Sequence, residues 1–341
     1  KRQIIADGTR RDDRTPKLNI NQIMTTVKIK FCRSSVGSAD GFVSYAWRLI
    51  GQLVAVGKPV AEKYASSLRS FIRFNGEEDV PFSRFDTNLM VAYEAWLKSS
   101  GILRNTTSYY LRNLHAIYNR AVDDGLAVYG TDPFRRVYTG VDCTVKRALP
   151  ISLVRRIRDA DLTLYPKMAY ARDMFMFSFF TRGMSLVDMA YLRHDNLQNG
   201  RLSYRRRKTG RLVVVKWSRE MEEIVNRYAA HSGHYLLPIV TTEDSDLAHR
   251  QYITATQCIN RRLQRLACML DIPTNLTMYV ARHSWATAAK ASNISVSTIS
   301  RCMGHESEKT TYIYLSTIDT SDVDNATDVV LGSLLDGENE V

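Results

Sequence analysis

The interpretation of the fold depends on one stretch, Tyr279-Val280-Ala281-Arg282-His283-Ser284-Trp285-Ala286-Thr287. Two motifs follow it, Met303-Gly304-His305 and Thr310-Thr311-Tyr312-Ile313-Tyr314, with Tyr314 nine residues after His305. Phosphoryl transfer needs an in-line nucleophile and positive groups around the phosphate oxygens. A tyrosine hydroxyl can attack a phosphodiester and hold the product covalently. The planar guanidinium of Arg282 suits the second role, because it can bind two phosphate oxygens.

Two motifs upstream complete the set. The first is Phe179-Phe180-Thr181-Arg182-Gly183-Met184-Ser185-Leu186-Val187-Asp188-Met189. The second is a predicted hairpin, in which residues 201–207 and 212–217 flank the turn Lys208-Thr209-Gly210-Arg211. The sequence has no P-loop and no evident metal-ligand cluster. We therefore expect no cofactor and no metal, so that Arg, Lys and His side chains supply the positive charge.

The order and spacing of these motifs resemble the catalytic domain of the tyrosine recombinase (phage integrase) family. That domain has an arginine, a hairpin lysine, His-x-x-Arg, Gly-His and Thr-Thr-x-x-Tyr. The stretch Arg-His-Ser-Trp-Ala-Thr is similar to the family's Arg-His-Thr-Phe-Ala-Thr. The resemblance implies that Tyr314 is the nucleophile and that Arg282 binds the scissile phosphate. It also implies that His305 hydrogen-bonds this phosphate and that Lys208 protonates the leaving 5′ oxygen.

The implied function is site-specific DNA recombination through a 3′-phosphotyrosyl intermediate, with integration, excision or inversion as the outcome. The implied partners are double-stranded DNA with inverted-repeat core sites and three further copies of the chain, which together form a tetramer. Because no extra arm-binding domain is evident, the resemblance favours a short bacterial recombinase of a mobile element. Two rival functions stay open. One is relaxation of DNA like a type IB topoisomerase, and the other is a non-catalytic DNA-binding regulator with a decayed site.

The sequence departs from the family pattern at two positions. Tyr279 replaces the histidine of His-x-x-Arg, and although it can donate a hydrogen bond, its reference pKa near 10 makes it a poor general base. Ser185 replaces the first arginine. We expect Arg182, three residues earlier, to reach the same phosphate from one helical turn back. The alternative is that Arg182 makes a structural contact and Ser185 binds the substrate by itself.

Each motif residue also has a purely structural interpretation. Tyr314 can be an aromatic residue of the core, and Tyr312 is a second candidate nucleophile two residues away. Arg282 can form a surface ion pair, His305 can cap a helix, and Lys208 can be an ordinary turn residue. The matching order of the motifs favours the functional interpretation of each.

The N-terminal half predicts helices at 58–74, 87–100 and 105–125, because apolar residues recur there at helical spacing. These helices resemble the family's SAM-like core-binding domain. Three basic residues beside the apolar stripes, Arg69, Arg73 and Arg112, are candidates for binding DNA phosphates, with solvated surface positions as the alternative. The expected fold is mainly α, with a small β-hairpin or sheet in the catalytic domain, and the two domains form a clamp around DNA.

Charge and length support this organisation. The 341 residues carry a formal net charge of +12, which favours a polyanionic partner. Residues 319–341 differ, since they contain seven acidic residues and no Lys or Arg. We expect an arm or expression remnant at 1–37, a core-binding domain at 38–135, a linker at 136–146 and a catalytic domain at 147–320. An acidic tail follows at 321–341, and we expect it to be either a frayed terminus or a helix that docks on another protomer.

The cysteine pattern and the apolar runs argue against a zinc-bound or disulfide-stabilised protein and against a membrane-spanning one. Five cysteines without a CxxC pair indicate neither a zinc site nor a disulfide framework. The longest apolar run, residues 174–180, is too short to span a bilayer. We expect a protein of the bacterial cytoplasm that associates with the nucleoid and not with a membrane.

Overall fold

The structure, a computed structural model, describes residues 41–76, 79–127, 130, 132–142 and 148–315, without the side chains of residues 313 and 314. The expected N-terminal arm at 1–37 and the acidic tail at 321–341 lie outside the described residues. The chain divides into two compact units, Lys1–Cys143 and Thr144–Val341.

The described part of the N-terminal unit is helical. Its elements are α1 (Phe42–Ala55), α2 (Val60–Asn75), a 3₁₀ turn (Phe82–Arg84), α3 (Thr87–Ser99) and α4 (Arg104–Asp123). The helices predicted at 58–74, 87–100 and 105–125 are confirmed as α2, α3 and α4, with ends that differ by at most two residues. Asp86 begins α3 because its carboxylate accepts a hydrogen bond from the Leu89 amide at 2.8 Å.

Aromatic side chains form the centre of this unit. Phe42 stacks on Phe85 with ring centroids 4.0 Å apart, and Phe71 meets Tyr93 edge to face at 5.4 Å. All four side chains are buried. Burying each stabilises the unit by about 1.5–3 kcal/mol, so the apolar stripes of the helices are core, as their spacing predicts.

Residues 136–142, which we expected to begin a linker, lie on α4. Asn105 and Asp142 exchange two hydrogen bonds, 2.8 Å and 3.0 Å long. The Ser108 hydroxyl donates to the Gly140 carbonyl, and the Arg104 guanidinium lies 3.9 Å from the Tyr138 ring centroid. This segment is therefore attached to the N-terminal unit as far as Asp142.

The described part of the C-terminal unit combines helices with one small sheet. Its helices are α5 (Ile151–Arg158), α6 (Pro166–Phe180), α7 (Leu186–Ala190), a 3₁₀ turn (His194–Asn196), α8 (Arg219–Ser232), α9 (Ser245–Met269), α10 (Met278–Ala291), α11 (Val296–Met303) and α12 (Glu308–Leu315). Helix α6 runs through the core, where Met174, Phe175 and Phe177 are buried. No helix among the described residues is long and apolar enough to cross a membrane.

The sheet contains the predicted hairpin and one additional short strand. Strands β1 (Leu197–Gln198), β2 (Arg201–Arg205) and β3 (Leu212–Lys216) are antiparallel in the order β1-β2-β3. Leu202 pairs with Val215 and Tyr204 with Val213, and all four side chains are buried on one face. Since side chains alternate along a strand, the next residue on this face is Arg206. The mainly α fold with a small sheet is thus confirmed.

Candidate active site

The buried guanidinium of Arg282, on α10, is the centre of the site. Its Nη1 donates to the Gly183 carbonyl at 2.6 Å, and its Nη2 donates to the Met303 carbonyl at 2.6 Å. Nη2 also lies 2.9 Å from Nε2 of His305. Burial, and to a smaller extent the charge of Arg206, lowers the pKa of Arg282 to about 10. The guanidinium therefore stays positive at neutral pH. One arginine thus links the motifs at 183, 282 and 303–305.

Gly183 allows this arrangement because a larger residue does not fit. A Cβ at this position would lie 2.7 Å from the Cα and 2.7 Å from the Cγ of Arg282. The residue also has a φ of +77°, which favours glycine. The chain leaves α6 through this turn, and so the contact between backbone and arginine depends on glycine.

His305 is buried beside Arg282, and its protonation can be assigned from its partners. A guanidinium only donates hydrogen bonds, so Nε2 of His305 accepts from Arg282. The proton of the neutral ring is then on Nδ1, which donates to the Thr311 hydroxyl at 2.7 Å. Burial, followed by the charges of Arg282, Arg206 and Lys208, lowers the pKa of His305 to about 3. The imidazole is therefore neutral at physiological pH, with its Nε2 lone pair inside the cationic cluster.

Arg206 belongs to this cluster, and the sequence reasoning missed it. The side chain is 8% exposed, and its Nη1 donates to the Gly304 carbonyl at 3.0 Å. Its charge lowers the pKa of both Arg282 and His305, which places a second buried cation beside them. The alternation of β2 could have revealed it, because Arg206 continues the buried face of Leu202 and Tyr204.

Lys208 follows Arg206 in the hairpin turn and is exposed, and its charge also acts on His305. Asp188 holds this hairpin in place. One of its carboxylate oxygens accepts from the Arg207 amide at 2.8 Å, and the other accepts from the Ser185 hydroxyl at 2.6 Å. Asp188 is buried, and a buried carboxylate needs such donors.

The expected helical relation between Arg182 and Ser185 is wrong. Helix α6 ends at Phe180, Arg182 has a φ of +63°, and Ser185 precedes α7, so the two residues do not share a helix face. The Arg182 guanidinium donates to the Val214 carbonyl at 3.3 Å and lies 3.6 Å from the Cys302 sulfur. The turn that places Gly183 against Arg282 directs Arg182 toward strand β3.

The three tyrosines of the motifs differ in exposure and in what the structure describes. Tyr279 is 55% exposed, and its ring meets His283 edge to face at 4.7 Å. Partial burial raises the pKa of its hydroxyl, and Arg282 and Arg206 oppose this rise, so Tyr279 is not a base at neutral pH. Tyr314 lies in α12, but its side chain is outside the described part of the structure. Tyr312, on the same helix, is exposed.

The three candidate phosphate ligands of the N-terminal unit lie on two helices. Arg73 on α2 and Arg112 on α4 are exposed. Arg69 is partly buried, which lowers its pKa, and its Nε and Nη2 have no hydrogen-bond partner among the described residues. Within the same residues, no group of His, Cys, Asp and Glu could hold a metal ion.

Family models match both units of the chain. The phage integrase SAM-like domain matches residues 42–135, and the phage integrase family matches residues 152–320. No individually curated protein matches the sequence significantly.

Solved structures share the fold at low sequence identity. A lambda integrase dimer bound to a COC′ core site is 14% identical, with a TM-score of 0.61 over 80% of this chain and 94% of that chain. The Tn1549 transposon integrase in complex with transposon right end DNA is 13% identical, with a TM-score of 0.59 over 85% of this chain and 99% of that chain. A lambda integrase tetramer bound to a Holliday junction is 13% identical, with a TM-score of 0.58 over 89% of this chain and 78% of that chain.

Sequence motifs, family models and fold agree with one another. The matched catalytic family favours recombination over both rival functions, topoisomerase-like relaxation and non-catalytic regulation. The buried cluster of Arg282, His305 and Arg206 is suited to binding a phosphate anion. The chain belongs to the tyrosine recombinase (phage integrase) family and is a site-specific DNA recombinase.

Proposed function

We propose that Tyr314 cuts one DNA strand at a phosphate held by Arg282, Arg206 and His305, and that Lys208 protonates the leaving oxygen. The observation that carries this assignment is the Arg282 guanidinium, which binds the backbone at Gly183 and Met303 and also meets His305. Three sequence motifs thereby surround one positive group. In the proposal Arg206 takes the place of the arginine that Ser185 replaces, and Arg182 supports strand β3.

The chemistry follows from the charges of these groups. The Tyr314 oxygen attacks phosphorus, the bond from phosphorus to the 5′ oxygen breaks, and the Lys208 ammonium gives its proton to that oxygen. His305 accepts the tyrosine proton at Nε2 once Arg282 turns its hydrogen to the bound phosphate, whose negative charge raises the low pKa of the ring. Tyr279 is too weak a base to take this proton. The imidazolium formed then donates to a phosphate oxygen. Attack by a 5′ hydroxyl of another strand reverses each step and rejoins the DNA.

The proposed substrate is double-stranded DNA with inverted-repeat core sites. Both units contribute, since the N-terminal unit presents the exposed Arg73 and Arg112 and the partly buried Arg69. We propose that four protomers act on two sites, as in the lambda integrase tetramer solved on a Holliday junction. The reaction would integrate, excise or invert a mobile element on the chromosome in the bacterial cytoplasm.

A suicide substrate with a nick near the cut tests the nucleophile. Wild-type protein and Tyr312→Phe should both form a covalent adduct that survives denaturing electrophoresis, and Tyr314→Phe should bind the DNA without forming one. An adduct that persists in Tyr314→Phe and vanishes in Tyr312→Phe would assign the reaction to Tyr312. Absence of any adduct with wild-type protein on its own flanking inverted repeats would contradict the proposed function.

The leaving-group role of Lys208 has a separate test. Lys208→Ala should slow cleavage of normal DNA by ~10²-fold or more, the usual contribution of general acid catalysis. A substrate with sulfur in place of the bridging 5′ oxygen needs little protonation, and the variant should cut it nearly as fast as wild-type protein does. Equal losses on the two substrates would reject this role.

A further inference from the structure

One hydrogen bond joins the helix of the proposed nucleophile to His305. Thr311 lies on α12, three residues before Tyr314, and its side chain is fully buried. Its hydroxyl is 2.7 Å from Nδ1 of His305, which is itself 2% exposed. Because positions three apart lie on neighbouring turns of one helix face, the position of Thr311 is tied to that of Tyr314.

The two ring nitrogens of His305 face different partners. From α10, Arg282 donates to Nε2, and from the hairpin, Arg206 and Lys208 add positive charge. From α12, the uncharged hydroxyl of Thr311 faces Nδ1. Among these groups the hydroxyl is the hydrogen-bond acceptor, since Arg and Lys only donate. Arg282 thus keeps the proton of the neutral ring on Nδ1, and Thr311 supplies the buried acceptor for that N–H.

We propose that Thr311 is a positioning residue that makes proton acceptance by His305 depend on the docking of the nucleophile's helix. With α12 docked, Thr311 holds Nδ1–H in place, and Nε2 takes the tyrosine proton when Arg282 turns its hydrogen to the bound phosphate. With α12 displaced, Nδ1–H loses its buried acceptor, and the arrangement that receives the tyrosine proton is lost. During cleavage the Tyr314 proton moves to Nε2 while Nδ1–H stays on Thr311, and during rejoining that proton returns to the tyrosine oxygen.

This inference rests on the proposed function, but one test does not require activity. Nitrogen-15 NMR of the His305 ring in the DNA-free protein reports which nitrogen carries the proton and whether that N–H is hydrogen-bonded. Wild-type protein and Thr311→Ser should show a hydrogen-bonded Nδ1–H that exchanges slowly with water, and Thr311→Val, which has nearly the same shape, should lose that hydrogen bond. Thr310→Val is the matched control, because Thr310 is an exposed hydroxyl residue on the same helix. An Nδ1–H with unchanged chemical shift and unchanged exchange rate in Thr311→Val would overturn the proposal.

The second arm measures single-turnover cleavage of the nicked substrate as a function of pH. Thr311→Val should be slower by about 10- to 100-fold, which is less than the roughly 10²- to 10⁴-fold contribution of a complete acid–base group because His305 itself is retained. The limb of its pH profile that reports His305 should also shift. Thr311→Ser should stay within about threefold of wild-type protein, as expected when the hydroxyl is what matters. An equal loss in Thr311→Ser, or a slower rate with an unshifted profile, would show that Thr311 acts only through packing.

If Thr311→Val does not fold, Thr311→Ala replaces it, since alanine removes the hydroxyl without placing an additional methyl group in the core. The NMR measurement of the Nδ1–H hydrogen bond decides the inference even when wild-type protein forms no adduct. That case would refute Tyr314 as the nucleophile and leave the contact between Thr311 and His305 to be judged by NMR.

Discussion

Substituting Arg206 by alanine tests whether a hairpin arginine has taken over the missing position of the family motif. The side chain is 8% exposed, and its charge acts on both Arg282 and His305. Removing one preorganised group that stabilises transition-state charge costs about 10²- to 10³-fold in rate, or about 2.7–4 kcal/mol. We expect a loss of this size in single-turnover cleavage by Arg206→Ala.

The same change should cost little stability. The Gly304 carbonyl that accepts from Arg206 also lies 3.3 Å from the Thr209 hydroxyl, and so it keeps a donor. The loss is then that of one hydrogen bond from a charged donor, about 1.5–3 kcal/mol, and it is partly offset because the repulsion between the Arg206 and Arg282 charges is removed. Thermal unfolding should therefore show a folded protein whose midpoint is only modestly lowered.

The matched control is Arg207→Ala, which removes the same charge one residue away. Arg207 is exposed, and its guanidinium lies 4.0 Å from the centroid of the Tyr191 ring. Cleavage of the nicked substrate and fluorescence anisotropy with the same duplex at fixed salt separate catalysis from binding. Equal cleavage by the two variants would refute the role of Arg206. A severe loss in Arg182→Ala alone would return that role to Arg182.

Three further outcomes are expected. Gly183→Ala should lose at least ~1–2 kcal/mol of stability from its left-handed backbone alone and should displace Arg282. Both the unfolding free energy and the cleavage rate should therefore fall. A stable and active variant would contradict the close packing at Gly183. The unfolding free energy should fall as pH drops from 6.5 toward 3, because His305 gains a proton in the unfolded chain before it does so in the folded one. At pH 5 the difference is about 2 kcal/mol, and a denaturant series on His305→Asn should lack this component. Residues 321–341 contain apolar residues among acidic ones, and deleting them should weaken cooperative binding to full sites. Binding to half-sites should stay unchanged, and gel-shift titrations measure both. Unchanged cooperativity would show that the tail does not dock.

The sequence by itself determined the family, the order of the motifs and most of the secondary structure. The helical stripes at 58–74, 87–100 and 105–125 and the hairpin at 201–217 depend on local periodicity, and the structure confirms them. Secondary structure can be predicted from this periodicity because the apolar side chains of a helix or strand lie on the face that packs against the core. The candidate site residues at 208, 282, 305 and 314 could be predicted from the sequence because their order and spacing match the motifs of the family.

The tertiary structure decided which side chains meet. Arg206 enters the cluster, and Arg182 turns to strand β3 because the chain reverses through left-handed backbone at 182 and 183. We expected Arg182 and Ser185 to share one helix face, but helix α6 ends at Phe180, before both residues. Likewise, the proton on Nδ1 of His305 follows from contacts with Arg282 and Thr311, which are distant from each other in the chain. Local patterns specify elements, but charge and protonation in a buried site depend on which groups share the same small volume, and only the packed chain brings them together.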